Sequence, residues 1–307
     1  MAPIPPELAD RHRPFRRSDA IAAGISPAVI KGSRFRRIFR GVYIDASVPP
    51  HALHRVSAAL LLHPPSAFAS HASAARVYGV PLPVLPDEHV SVFDAADRRR
   101  RPGVCSHVVP PGTPVRVVQG LRVSAPARLF VELADILTMV DLVVVGDALC
   151  RLRRATPAEL RAAAASARSG RAVTAASHVR AEVDSAMETR LRLLIVLAGL
   201  PEPVVNHVIR DAYGAVLLRF DLSYPDLKVV VEYDGRQHRA DLDQWDHDLD
   251  RKDWFDAEGW LHVPVFSHGI YRDPARTLRR VAAALRSRGA VLPRRLSEDW
   301  RAHFPGH

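Results

Sequence analysis

The chain has 307 residues, enough for two or three domains with sizeable cores. Its 48% apolar and 25% charged shares fit a globular protein and exclude a disordered chain, and no uninterrupted apolar run reaches the roughly 18 residues that a membrane helix needs. With 43 basic against 33 acidic residues the formal charge is +10, carried mostly by arginine, whose planar donor fork suits phosphate; nucleic acid is therefore the first partner to consider, the alternative being a codon bias toward Arg and Ala.

The first thirty residues are rich in Pro, Arg and Asp and lack the apolar core of a secretory signal, so a cytoplasmic location and no membrane partner are expected. Residues 18–44 then read as a small DNA-binding unit. Ser18 or Asp19 caps a helix over Ile21-Ala22-Ala23, Gly24 ends it, and Ser26 with Pro27 opens a second helix over Ala28-Val29-Ile30. Residues 35–44 alternate apolar and basic positions around Gly41, as a two-stranded wing does. Arg34, Arg36, Arg37 and Arg40 would then face phosphate, and the bland alternative is a minor helical subdomain with a charged face.

Residues 49–180 carry less information. Helices around 53–62 and 69–78 precede a strand at 88–93, and Arg98-Arg99-Arg100-Arg101 reads as a basic hairpin tip. His63, His71, His89 and His107 show no metal-ligand spacing and read as satisfied core or surface histidines. Cys105 and Cys150 lack CxxC spacing and read as reduced, unpaired thiols, so neither a disulfide framework nor a structural zinc site is expected. Helices follow to about residue 160, and the Ala/Ser/Arg/Gly-rich stretch from Arg161 to Thr174 reads as a linker. The expected domains are 1–48, 49–180 and 181–307.

In the last of these, Asp184 or Ser185 caps a helix that runs to Leu200 and stops at Pro201 and Pro203. Met187, Leu191, Leu194, Ile195 and Ala198 form one stripe of it, with Glu188 on the shoulder. Strands follow at 204–209, 215–222 and 227–234, then a polar helix over 242–258, a strand at 260–266 and a closing helix over 274–288. The order αβββαβα places this region in a mixed α/β class, within a multidomain α+β chain.

The third strand ends in Val231-Glu232-Tyr233-Asp234-Gly235-Arg236-Gln237-His238, and Asp221 lies eleven residues before Glu232. If Pro225 and Asp226 form a tight turn, Tyr224 pairs with Leu227 and Asp221 sits opposite Val230, one diagonal step from Glu232. Asp221, Glu232 and Asp234 then share a face, as metal-dependent chemistry requires. The alternative is the solvated face of an ordinary hairpin.

From Glu188 onward, the pattern Glu188-Thr189-Arg190-Leu191-Arg192, Gly199-Leu200-Pro201, Asp221-Leu222-Ser223-Tyr224-Pro225, Glu232-Tyr233-Asp234-Gly235-Arg236-Gln237-His238, Asp248-Leu249-Asp250-Arg251 and Gly259-Trp260 closely resembles domain-of-unknown-function family 559. That family is similar to the very-short-patch repair endonuclease and belongs to the PD-(D/E)xK restriction-endonuclease-like group. Ala22-Ala23-Gly24-Ile25-Ser26 and Arg40-Gly41-Val42-Tyr43 resemble the winged helix of AbiEi-type antitoxins.

The resemblance implies a DNA endonuclease acting on double-stranded DNA, as a monomer or a homodimer, with Mg²⁺ or Mn²⁺ held by Asp221, Glu232, Glu188 and the Tyr233 backbone carbonyl. It makes Asp234, Gln237 and His238 the further catalytic candidates, with His238 the natural general base. It also implies Arg251 as a DNA contact, after a structural pairing with Asp248. Two departures stand out: Asp234 occupies the position of the group's lysine, and Pro264 stands where relatives carry arginine. The first keeps open an antitoxin-type DNA-binding regulator, with or without a toxin partner.

Overall fold

The computed structural model describes residues 10–235, 251–304 and 306. The chain divides into two compact units, Met1–Ile136 and Leu137–His307. It is a multidomain α/β protein with three sheets, and among the described residues no helix is long and apolar enough to cross a membrane.

The first unit opens with β1 (Phe15–Arg16), α1 (Arg17–Ala22), α2 (Pro27–Lys31), β2 (Phe35–Phe39) and β3 (Val42–Asp45). Gly24, at φ +86, turns the chain between the helices, Ser26 Oγ accepts the Val29 N–H at 3.4 Å, and Pro27 fills the first turn. Gly41, at φ +88, turns β2 into β3, and β1 completes a three-stranded sheet of order β1-β3-β2. Its core is Phe15, Ala20, Ile30, Phe35 and Tyr43, with Phe15 edge-on to Phe35 at 5.1 Å.

There follow α3 (Ala52–Leu60), β4 (Phe68–Ala69), α4 (His71–Tyr78), β5 (Glu88–Val92), β6 (Val104–Val108), β7 (Val115–Val118), β8 (Leu121–Ser124) and α5 (Pro126–Leu133). The strands form a sheet of order β6-β5-β4-β8-β7 in which β5 and β6 run parallel. Arg98-Arg99-Arg100-Arg101 lies in the crossover from β5 to β6, and only its end is hairpin-like: Arg101 bridges Val104 antiparallel across Pro102-Gly103, with the Val104 N–H bonding the Arg101 carbonyl at 3.0 Å.

The second unit begins with α6 (Met139–Arg151), α7 (Pro157–Ser166) and α8 (Gly170–Ser177). The stretch read as a linker is thus two helices. Thr156 and Glu159 form a reciprocal capping box on α7, and Leu160, Ala164, Ala172, Ala175 and Ala176 are buried. Alanine is weakly apolar, so the stretch looks like linker in sequence, yet it is the best helix former and lets helices approach closely.

Next come α9 (Ala186–Leu197), β9 (Val204–Arg210), β10 (Val216–Tyr224), β11 (Val229–Tyr233), α10 (residues 251–257), β12 (Leu261–Val265), α11 (Ser267–Tyr271) and α12 (Pro274–Ser287). The sheet order is β12-β11-β10-β9, with β11 and β12 parallel and the other pairs antiparallel. Val229, Val230 and Val231 are all buried, which requires cover on both faces. α9 packs on β10 and β11, and Phe220, Val230, Phe255 and Trp260 form a second cluster. Pro264 lies in the outermost strand β12, where a missing N–H costs no ladder bond.

The β10–β11 register differs from the tight-turn expectation. Pro225–Leu227 form a 3₁₀ turn and Lys228 adopts φ +49, so Tyr224 pairs with Val229, Ser223 with Val230 and Leu222 with Val231. The turn takes up two more residues on the β11 side than expected. A slip of two keeps every side chain on its face, and continuing the register by one step sets Asp221 opposite Glu232 rather than diagonal to it.

Candidate metal centre and nucleic-acid interface

The hairpin and the start of α9 bring acids near Asp221, and the edge strand β12 supplies a partner for Glu232. Its Oδ2 accepts the Tyr233 backbone N–H at 3.2 Å. Burial, then the neighbouring charges of Glu188 and Glu232, push the Asp221 carboxyl up to about 7. The charges of Glu188 and Glu232 thus act on a partly desolvated Asp221, although among the described residues the ligand atoms of these three carboxylates do not already stand within metal-binding reach of one another. Glu188 approaches Asp221 from the third position of α9, where Ser185 Oγ accepts the Glu188 N–H at 3.2 Å and Glu188 Oε2 accepts the Asp184 N–H at 3.0 Å. That reciprocal cap holds the carboxylate, which is only 7% exposed, at the helix start.

Glu232 is paired on both oxygens: Arg251 donates to Oε1, and His262 Nε2 lies 3.0 Å from Oε2. Phe255 backs both partners, with the His262 ring stacked on it at 4.8 Å and the Arg251 guanidinium 5.6 Å from its centroid. Arg251, expected first as the ion-pair partner of Asp248 and second as a phosphate contact, is here an ion-pair partner of a site carboxylate. His262 escaped the sequence reading. The signal was its place in β12, since the parallel register sets Val230 against His262 and Glu232 against Pro264, all on one face; strand order is what a lone sequence withholds.

Asp234 follows the end of β11, where its N–H bonds the Val265 carbonyl at 2.8 Å, and the Asp234 charge, after burial and Tyr271, raises the Tyr233 hydroxyl. Gln237 and His238, together with Asp248, lie outside the described residues. The donor set of Glu188, Asp221 and Glu232 is all hard carboxylate oxygen, which fits Mg²⁺ or Mn²⁺ and not a soft metal.

Behind the site α9 is anchored by a buried ion pair. Arg192 is fully buried, and donates to Asp147 Oδ2 of α6 at 2.9 Å, to the His178 carbonyl at 2.9 Å and to Glu202 at 3.3 Å. Thr189 Oγ1 and the Arg180 N–H also bond Asp147, at 2.9 and 2.7 Å. Burial raises Asp147, and the Arg192 charge opposes that shift.

In the first unit, Arg37 and Arg40 are exposed and line one groove with Arg100 and Arg101 of the β5–β6 crossover. Arg36 is partly turned inward, donating to the Val48 carbonyl at 3.2 Å, and Arg34 sits over the Phe35 ring at 5.5 Å. Two of the four predicted arginines therefore face the groove.

No family model matches the chain. It is similar to an uncharacterized protein of Mycobacterium tuberculosis strain CDC 1551 / Oshkosh and to an uncharacterized protein of strain H37Rv. Each is 28% identical over 276 residues, covering 83% of this chain and 94% of the relative.

Proposed function

We propose that the chain is a divalent-metal-dependent DNA endonuclease whose N-terminal unit engages DNA and whose C-terminal unit hydrolyses the phosphodiester. The observation that carries this is the partly buried Asp221 carboxyl, raised by burial and by the neighbouring charges of Glu188 and Glu232. Without a cation such crowding is unfavourable, and a hard divalent ion relieves it. When bound, Mg²⁺ or Mn²⁺ would polarise the scissile phosphate and favour ionisation of the attacking water.

The chain's own residues do the rest. Glu188 and Asp221 offer fixed carboxylates, one set by a helix cap and the other by the Tyr233 N–H. Glu232 would be the third carboxylate to hold the ion, and its present partners Arg251 and His262 would be the cationic groups at hand for the phosphate. The arginine groove would supply sequence-independent attraction to the duplex.

The pinning of Glu232 by two cationic partners, with Asp234 in place of the motif lysine, favours a second reading. In it the nuclease fold serves an antitoxin-type DNA-binding regulator with little catalysis. Nicking of supercoiled plasmid with Mg²⁺ or Mn²⁺ separates the two. The endonuclease predicts conversion to open circles that Asp221→Ala and Glu232→Ala each reduce by at least about a hundredfold. Gel shift of the same plasmid without nicking, in a folded protein, would overturn the enzyme and leave the regulator.

A further inference from the structure

A second cluster of metal-binding side chains lies in the first unit, apart from every residue used above. His89 and His107 stand on the parallel strands β5 and β6, whose register pairs His89 with Cys105 and Ser91 with His107, so both imidazoles rise from one face two residues apart. His71 joins them from the first turn of α4, where its backbone adopts φ +46, an uncommon conformation for a residue other than glycine. The ring centroids lie 4.0 Å apart for His71 and His107, 5.1 Å for His71 and His89, and 5.2 Å for His89 and His107. His89 Nδ1 is 3.0 Å from His107 Nε2. One ligand nitrogen from each ring lies within 4.8 Å of the other two.

We propose that His71, His89 and His107 form a binding site for a divalent transition-metal ion, Zn²⁺ foremost, through three imidazole nitrogens with a fourth position open to water. Three nitrogen donors suit zinc and its neighbours and do not suit Mg²⁺, so this site is chemically distinct from the carboxylate cluster. It stands whether or not the chain is a nuclease.

Two features favour ligation over simple packing. The backbone around the rings is tied by buried groups: Glu132 Oε2 accepts the His71 N–H at 3.2 Å and the Ser124 hydroxyl at 2.8 Å, and Ser73 Oγ accepts the His89 N–H at 2.8 Å while donating to Glu88 at 2.5 Å. Such fixing of ligand-bearing backbone is what a metal site needs around it. The contrast with His63 is the second feature. That ring spends both nitrogens on partners outside any cluster, the Ala59 carbonyl at 2.9 Å and Ser106 Oγ at 2.7 Å, whereas His89 and His107 face each other and His71, whose Nδ1 lies 3.1 Å from Ser70 Oγ, stacks on both.

Burial holds all three imidazoles below their ordinary value, helped by the neighbouring imidazoles for His71 and His89 and by Arg98 for His107, which keeps them in the neutral form a metal requires. The local charge is mixed. Arg98, Arg76 and Arg128 lie on the cationic side, and Glu132, whose Oε2 is 3.9 Å from His71 Nδ1, lies on the other with Asp87 and Glu88. In tetrahedral zinc with bonds of about 2.0–2.1 Å the ligand nitrogens stand roughly 3.4 Å apart, so the rings must turn out of their stack and close by on the order of 1 Å.

The test is titration of chelator-treated full-length protein with Co²⁺, read by visible absorption, followed by displacement with Zn²⁺ and elemental analysis. One equivalent with the intense bands of a four-coordinate, nitrogen-rich site is expected. His89→Gln and His107→Gln should each weaken it about tenfold or more, with circular dichroism unchanged, while Asp221→Ala leaves it intact. A wild-type spectrum without four-coordinate bands overturns the proposal even if the histidine variants fail to fold. So does a band that survives in the histidine variants and vanishes in Asp221→Ala.

Discussion

Near neutral pH the Asp221 carboxyl is divided between its protonated and ionised forms, because burial and the charges of Glu188 and Glu232 push it up to about 7. In the unfolded chain an aspartate titrates near about 4, so between about pH 4 and 7 the folded state binds the extra proton and loses stability as pH rises. Without metal, the full cost, on the order of 1–3 kcal/mol after allowing for partial exposure, stands above about pH 7. Asp221→Asn is therefore expected to raise the melting temperature of the metal-free protein at pH 8 and to leave it nearly unchanged at pH 4. The same difference between variant and wild type at both pH values would show that neither burial nor the neighbouring acids raise Asp221. Under limiting Mg²⁺, cleavage by the wild type should climb up to about tenfold per pH unit below about 7 and then level. Asp221 and Glu232 were legible because two hairpin strands and a turn suffice to bring them together, and Glu188 because helical spacing put it beside the apolar stripe. His262 was not, since its nearness to Glu232 follows only from β12 running parallel beside β11.

The position of α9 decides whether Glu188 reaches the other acids, and that position depends on a charge pair sealed between α6 and α9. Removing one member of a buried pair leaves the other unpaired, which typically costs about 3–5 kcal/mol. Arg192→Met should accordingly lower the urea midpoint by an amount of that order and depress cleavage, while Asp147→Leu combined with Arg192→Met recovers part of the loss. A double variant no better than the sum of the single changes would mean that packing, not charge, fixes the helix. Patterning predicted α9 itself but not this anchor, because Asp147 is 45 residues from Arg192 in sequence. The turn at Pro225–Leu227 was misjudged for a local reason, since Pro-Asp suits several turn types and only the αL backbone of Lys228 selects the longer one. The parity of two-residue slips is what kept the acids on one face despite that error.

At the scale of the whole chain, part of the formal charge of +10 gains a location: Arg37 and Arg40 of β2 and the turn after it, and Arg100 and Arg101 from a crossover that the sequence presents as a separate basic run. No local pattern links residues 37–40 with residues 100–101; the link comes from the five-stranded sheet that carries the crossover and the antiparallel β2–β3 pair that carries Arg37 and Arg40. If this groove tracks a duplex backbone, each phosphate neutralised adds about 0.9 to the slope of log affinity against log salt. Replacing Arg37, Arg40, Arg100 and Arg101 together by Ala should then reduce that slope by roughly 2–4 and weaken binding to all sequences alike. Asp221→Ala, confined to the other unit, should keep the wild-type slope. The comparison is a set of fluorescence-anisotropy titrations of one labelled duplex across a range of salt concentrations. An unchanged slope in the fourfold variant would place the DNA contact elsewhere on the chain, whereas a reduced slope with cleavage lost in parallel would tie targeting by the first unit to chemistry in the second.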